Sequence, residues 1–371
     1  MKIGGVVCFV RGCVSGPPSN ADVLIKRMDP MARFSLKAFS LWLAALACLP
    51  LGSIANAEPI QWVTVGDSGN TADTPKAPNP PAGAVAISFQ IMKYEFTNQR
   101  YIDFLNSVAA TDTYSLYNAS MGSDARGGIT QSGLSGAFTY LAKTDMGDKP
   151  VNFVSWFDAA RVSNWYQNGA TPSSSTEDGA YTLVSGQTTG TAPAVNPGAT
   201  FYVPTEDQWY KAAYYKGGGT SAGYWNYATQ SDSAPTAVTA DSTGNGSAGS
   251  TGNFANYDTT ADWNSQDGNV TTVGTNGGPS AYGAFDMSGN VYEWNDFTGD
   301  TGLRGGAWSS PAFQVSSSFS ISYNPSSEPY FFGFRLASPV SVPEIDPNGL
   351  SAVLGLIVGG LGFLERRRYG R

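Results

Sequence analysis

No histidine occurs anywhere in this 371-residue chain, and its three cysteines, Cys8, Cys13 and Cys48, all precede a small-residue cleavage motif at Ala55-Asn56-Ala57. Whatever folds after that motif has neither imidazole nor thiol. Disulfides, His/Cys zinc sites, Ser-His-Asp and Cys-His nucleophiles and thiol redox chemistry are therefore excluded from it. Cohesion and chemistry fall to apolar packing, carboxylates, hydroxyls, amides, Lys/Arg and the backbone. Aromatic residues supply the packing: all but one of the nine tryptophans lie between Trp62 and Trp308.

The two ends read as addresses. Residues 1–30 form an upstream extension and residues 31–57 an export signal, with Arg33 and Lys37 before the short apolar run 41–51 and its A-x-A site. Pro50 and Gly52 interrupt that run, which is too short to span a bilayer. At the other end Val342-Pro343-Glu344-Ile345-Asp346-Pro347 leads into the apolar stretch 349–364 and then Glu365-Arg366-Arg367-Arg368. The arrangement resembles PEP-CTERM sorting tails, with Ile345 where the commonest pattern has a second proline. That resemblance implies exosortase-type sorting machinery as a partner and a destination at the cell surface or in the extracellular matrix. A plain C-terminal membrane anchor is the alternative, and in either case the membrane is met only through this tail.

Residues 1–57 carry six basic and two acidic side chains and residues 343–371 four and three, so residues 58–342 hold 11 basic against 24 acidic groups, a net of −13. Nucleic acid, whose binding rests on phosphate neutralisation, is not a partner for such a surface. The acidity suits solubility and oxygen ligation of Ca²⁺ alike.

Between the ends the spacing predicts one domain over residues 85–338 behind a lead-in at 58–84. Ser155-Trp156-Phe157-Asp158 is a capping box that starts a helix stopping near Gly169, with Trp156, Ala159, Ala160 and Trp165 turned inward. Thr205-Glu206-Asp207-Gln208 repeats the device, and the helix it opens runs to Lys216 before Gly217. A further helix is predicted over 98–107, after a strand-like run at 84–94. Ser, Thr, Gly and Asn dominate 170–200 and 217–280, which read as long surface loops. Aromatics within the second stretch, Trp225, Tyr227, Tyr257 and Trp263, are placed either to stack on a ligand or to pack the core.

Five segments in order are similar to the formylglycine-generating enzyme, or sulfatase-modifying-factor, family: the Tyr94-Glu95-Phe96-Thr97-Asn98 run, residues 150–160, Val203–Trp209, Tyr282–Trp294, and Leu303–Trp308 closing with Gly333-Phe334-Arg335. The resemblance implies an α+β, C-type-lectin-like fold with little regular structure and loops pinned by structural Ca²⁺. It would place one Ca²⁺ on Asp286, Gly289, Val291 and Glu293, the glycine and valine through their carbonyls. A second would sit on Asn256, Tyr257, Asp267 and Asn269. The same acids have a simpler reading, as turn caps paired with Arg304 or Arg335, whose guanidinium forks suit buried carbonyls. The family's copper-dependent oxidases use two cysteines between the Arg-Gly-Gly and Gly-Phe-Arg segments. Here those positions fall near Val315 and Ser320, and the interval 307–332 has no cysteine. Copper, which selects soft thiolate in its Cu(I) state, is not expected. The leading expectation is a Ca²⁺-stabilised binding or matrix module for exopolysaccharide or surface peptide, without oxidase activity. The alternatives are a formylglycine-generating-type oxidase acting on exported sulfatases and, less favoured, carboxylate hydrolysis by Asp286 and Glu293.

Overall fold

The computed structural model describes residues 59–74, 81–184, 186–297 and 300–340. The upstream extension, the export signal and the apolar tail lie outside the described residues. In chain order the elements are β1 (Trp62–Val65), β2 (Phe89–Met92), α1 (Asn98–Val108), α2 (Ser120–Ser123), β3 (Ile129–Ser132), β4 (Thr139–Ala142), α3 (Trp156–Gln167) and α4 (Glu206–Tyr214). After a long loop come β5 (Thr236–Ala237), β6 (Phe254–Ala255), β7 (Tyr292–Phe297), β8 (Asp300–Arg304), β9 (Ile321–Ser322), β10 (Phe332–Gly333) and β11 (Ala337–Pro339).

The helices begin where their caps dictate. Ser155 accepts the amide of Asp158 while Asp158 accepts the amide of Ser155, and α3 ends at Asn168 before Gly169 in the left-handed region. Thr205 and Gln208 make the same reciprocal pair at α4, with Glu206 and Asp207 in the first turn favouring the helix dipole. The helix stops two residues before the position expected from Gly217, because Tyr215 is already extended at ψ 135°. Removing the Thr205 hydroxyl tests how far α4 depends on this cap. Thr205→Ala is expected to cost about 1 kcal/mol in denaturant unfolding, with the unfolding slope unchanged.

Two small sheets frame the core. In the first, β2 lies between β1 and β11, antiparallel to both, with Trp62 opposite Met92 and Ala337 opposite Ile91. The lead-in over 58–84 thus supplies β1 to the same sheet as β2. The strand-like run 84–94 forms a strand only over β2. The second sheet has the order β10-β7-β8-β9, with β10 parallel to β7 and the other pairs antiparallel. Trp156, Trp165, Trp209 and Trp294 are among the largest fully buried side chains, and α3 is buried from Trp156 through Trp165. Each such aromatic removes some 150–250 Å² from water, which is how a chain with short strands and long loops assembles a core.

Candidate functional site

The segment Asp286–Glu293 carries the acids singled out from the sequence, and its backbone is bent to reach the core. Asp286, Gly289 and Asn290 all have positive φ, at 58°, 92° and 64°. Only glycine fits at 289, since a Cβ there would meet the Asn256 carbonyl oxygen at 2.2 Å. The amide of Gly289 donates to Gly305 O (2.7 Å), and that of Asn290 to Asn256 O (2.8 Å).

Glu293 enters β7 with no exposed surface. Its carboxylate takes two hydrogen bonds from Arg335, Nε to Oε2 and Nη2 to Oε1, both 2.6 Å. Trp209 Nε1 adds a third at 2.7 Å. Arg335 uses its remaining donors on Met92 O (3.1 Å) and Phe285 O (2.8 Å). Asp286 accepts the Gly274 amide (2.5 Å) on one oxygen and Asn276 Nδ2 (2.9 Å) on the other. The pairing expected between Arg335 and these acids is thus present for Glu293. Arg304 instead joins Glu206 (2.5 Å) and the carbonyls of Ser317 and Phe319.

A third carboxyl belongs to this group, and sequence reasoning gave it no role. Glu95, fully buried three residues beyond β2, accepts Asn290 Nδ2 (2.7 Å) and the Val291 amide (3.3 Å). Burial, and then the charges of Asp286 and Glu293, push its carboxyl well above the usual range. Burial raises Asp286 as well. A carboxyl set between two aromatic residues, Tyr94 and Phe96, was the available signal.

The second expected set is divided. Asn256 and Asn269 are fully buried, and Asn256 Nδ2 bridges Asn269 O (2.9 Å), Thr271 Oγ1 (2.9 Å) and Asn290 Oδ1 (3.1 Å). The Tyr257 carbonyl accepts Thr260 Oγ1 (3.3 Å). Asp267 is exposed and not drawn in; its carbonyl accepts Arg126 Nη2 (3.0 Å). Asn256 Oδ1 is buried with no donor among the described residues.

The first set, as placed, does not fit a calcium ion, and in the second Asp267 stays outside while Asn256 Oδ1 is the oxygen left open. The ion takes roughly six to eight converging oxygens, whereas every carboxylate oxygen of Asp286 and Glu293 already accepts a hydrogen bond, and the cation on Glu293 is Arg335. Among the described residues no group of three His, Cys, Asp or Glu is placed to hold a metal. The same enclosure removes Glu293 from reach of any substrate, so the pair is not arranged for hydrolysis.

At the positions where the oxidases carry cysteine, Val315 is fully buried and its carbonyl accepts Ser288 Oγ (2.9 Å). A Cβ on Gly306 would lie 2.6 Å from its side chain, so the valine fills its space. Ser320 is half-buried on the approach to β9. Of the loop aromatics, Tyr257 and Trp263 are core residues, Trp263 lying under the Lys149 ammonium at 4.8 Å. Trp225 is half-buried under Lys216 (4.2 Å), and Tyr227 is half-buried as well.

Comparison with known proteins places this geometry in context. Residues 55–340 match the sulfatase-modifying factor enzyme 1-like domain. Among solved structures the chain is similar to CarF, at 23% identity and TM-score 0.46, over 76% of this chain and 99% of that one. It is also similar to Treponema denticola variable protein 1, at 19% and 0.44, over 76% and 95%. PvdO from Pseudomonas aeruginosa follows at 18% and 0.39, over 76% and 92%. No curated protein sequence matches.

Proposed function

The chain belongs to the sulfatase-modifying factor enzyme 1-like domain family, and on that footing we propose that it is a binding or matrix module of the cell surface, not a thiol-dependent oxidase. One observation carries the proposal. The interval 307–332, where the oxidases hold copper between two thiolates, has no cysteine, and Val315 occupies its position as a packed core side chain. A valine has no donor atom and a serine hydroxyl is a hard one, so neither replaces a soft ligand for Cu(I). What persists is a scaffold of buried arginines and capped helices presenting long polar loops. Function is commonly carried by such loops on a rigid frame.

Export through residues 31–57 and sorting through the 339–371 tail bring the module to the surface in this reading. Its ligand there is the exopolysaccharide or a surface peptide of the exporting cell. Incubated with Cu(I), oxygen and a Cys-x-Pro-x-Arg peptide, the full chain is expected to return the peptide at unchanged mass. Mass spectrometry showing the cysteine converted to an aldehyde would reverse the assignment in favour of the oxidase.

A further inference from the structure

A cleft of about 510 Å³ opens between the turn at 229–231, the loop at 250–253 and Gly278-Pro279. We propose that this cleft binds a short stretch of neutral glycan, an inference that rests on the binding-module reading and gives that module its ligand class and site.

The chemistry of the walls points to a neutral ligand. Among the described residues no ionisable side chain lines the cleft, although the domain around it is strongly acidic. A charged peptide or an anionic polymer would find no counter-charge there, and burying its charge unpaired is costly. Hydroxyls and amides line it instead. Such groups both donate and accept, which matches sugar hydroxyls, themselves donors and acceptors. Ser250 and Thr251 are exposed at the rim, and among the described residues their hydroxyls make no hydrogen bond.

The walls are braced, so little ordering is left for a ligand to impose. Gln230, at φ 58°, donates from Nε2 to Pro279 O (3.0 Å). Asn253 Oδ1 accepts Thr229 Oγ1 (2.6 Å), while its Nδ2 reaches Ser231 Oγ (3.1 Å) and the Ser233 and Ala234 carbonyls. Three segments far apart in sequence are thereby fixed against one another. The amide of Gly278 donates to Gly252 O (2.8 Å) across the floor.

One exposed aromatic side chain stands beside the cleft. Phe254 is 36% exposed, and its ring lies against Gly252, where an added Cβ would approach it to 2.9 Å. It does not line the cleft itself but a smaller neighbouring cavity, which shares Thr229 and Gly278 with the cleft and has Asp286 among its lining residues. An aromatic face beside a hydroxyl-lined groove offers the apolar side of a sugar ring a surface to stack on, while the ring's edges meet the polar walls.

The test uses the full chain, a panel of neutral gluco-, galacto- and manno-oligosaccharides of roughly three to six units, a parallel panel of uncharged peptides, and titration calorimetry. At least one neutral oligosaccharide is expected to bind. Thr251→Arg, which fills the cleft from an exposed position, and Phe254→Ala, which removes the platform, are each expected to weaken that binding tenfold or more at unchanged melting temperature. Glycan binding that both variants leave intact overturns the site while keeping the module. Binding only to peptides overturns the ligand class. No binding to either panel removes the glycan site and its binding-module premise together.

Discussion

Replacing Arg335 by methionine is expected to cost the protein on the order of 3–5 kcal/mol of folding stability, the range for breaking a buried ion pair from one side. Arg335 and Glu293 are both fully buried, and the guanidinium supplies two of the three hydrogen bonds on that carboxylate. Without it, Glu293 sits beside Glu95 and Asp286 with no cation in contact, and the carbonyls of Met92 and Phe285 lose their donors as well. Folded domains hold only about 5–15 kcal/mol in reserve, so the variant stands near the edge of folding. Arg335→Lys should recover only part of the loss, because an ammonium cannot reproduce the two-pronged contact. The double variant Glu293→Gln/Arg335→Met should be more stable than Arg335→Met alone, because the unpaired buried charge is gone. Denaturant titration of these proteins together with the single variant Glu293→Gln closes the double-mutant cycle and measures the coupling. A cost below about 1 kcal/mol for Arg335→Met would mean that another cation satisfies Glu293. In that case EDTA would lower the melting temperature of the parent chain, whereas with Arg335 as the cation EDTA leaves it unchanged.

This pair also shows where sequence reading succeeds and where it stops. The helices were legible because their signals are local: Ser155 with Asp158 and Thr205 with Gln208 lie three residues apart and each sets its own boundary. The family segments were legible because each keeps its residue order over a few positions. The partner of Glu293 was not uniquely legible, since Arg304 and Arg335 were both candidates. What selects Arg335 is the parallel pairing of β10 with β7, which sets Gly333 opposite Glu293 and brings Arg335 to its carboxylate from 42 residues away. Arg304 also lies opposite Glu293, on β8, yet its side chain turns to Glu206. Glu95 joins the cluster only because Asn290, in the left-handed region, directs its amide group inward. The sequence places 217–280 in a long surface loop but gives no sign that 229–231 and 250–253 meet in a cleft. Its walls are serines, threonines and glycines whose meaning depends on three loops meeting, and no periodicity encodes that.

Stability is expected to fall as pH rises from about 5.5 to 8.5, the reverse of the behaviour of a protein held by ionised surface pairs. Burial, and then the charge of Glu328, push the Asp158 carboxyl up to about 8. Burial also raises Asp296, which accepts Trp156 Nε1 (2.8 Å), to about 7. Glu328 moves in the same direction. In the unfolded chain these groups titrate near roughly 4. Between about pH 4 and 8 the folded state therefore retains protons that the unfolded state has released, and the linkage slope is negative. The contribution is fully present below the unfolded values and is lost as pH passes through 7 and 8. At about 1.4 kcal/mol per pKa unit, even a heavily discounted sum is several kcal/mol, or roughly 10 °C in melting temperature for a domain of this size. Thermal melts across that range read the effect directly. Asp158→Asn and Asp296→Asn should each flatten the curve above pH 6, because an amide keeps the acceptor for Ser155 or Trp156 and has no proton to lose. A melting temperature that climbs from pH 5.5 to 8.5 would show that these carboxyls ionise in the folded state, stabilised by groups other than the neighbours identified around them.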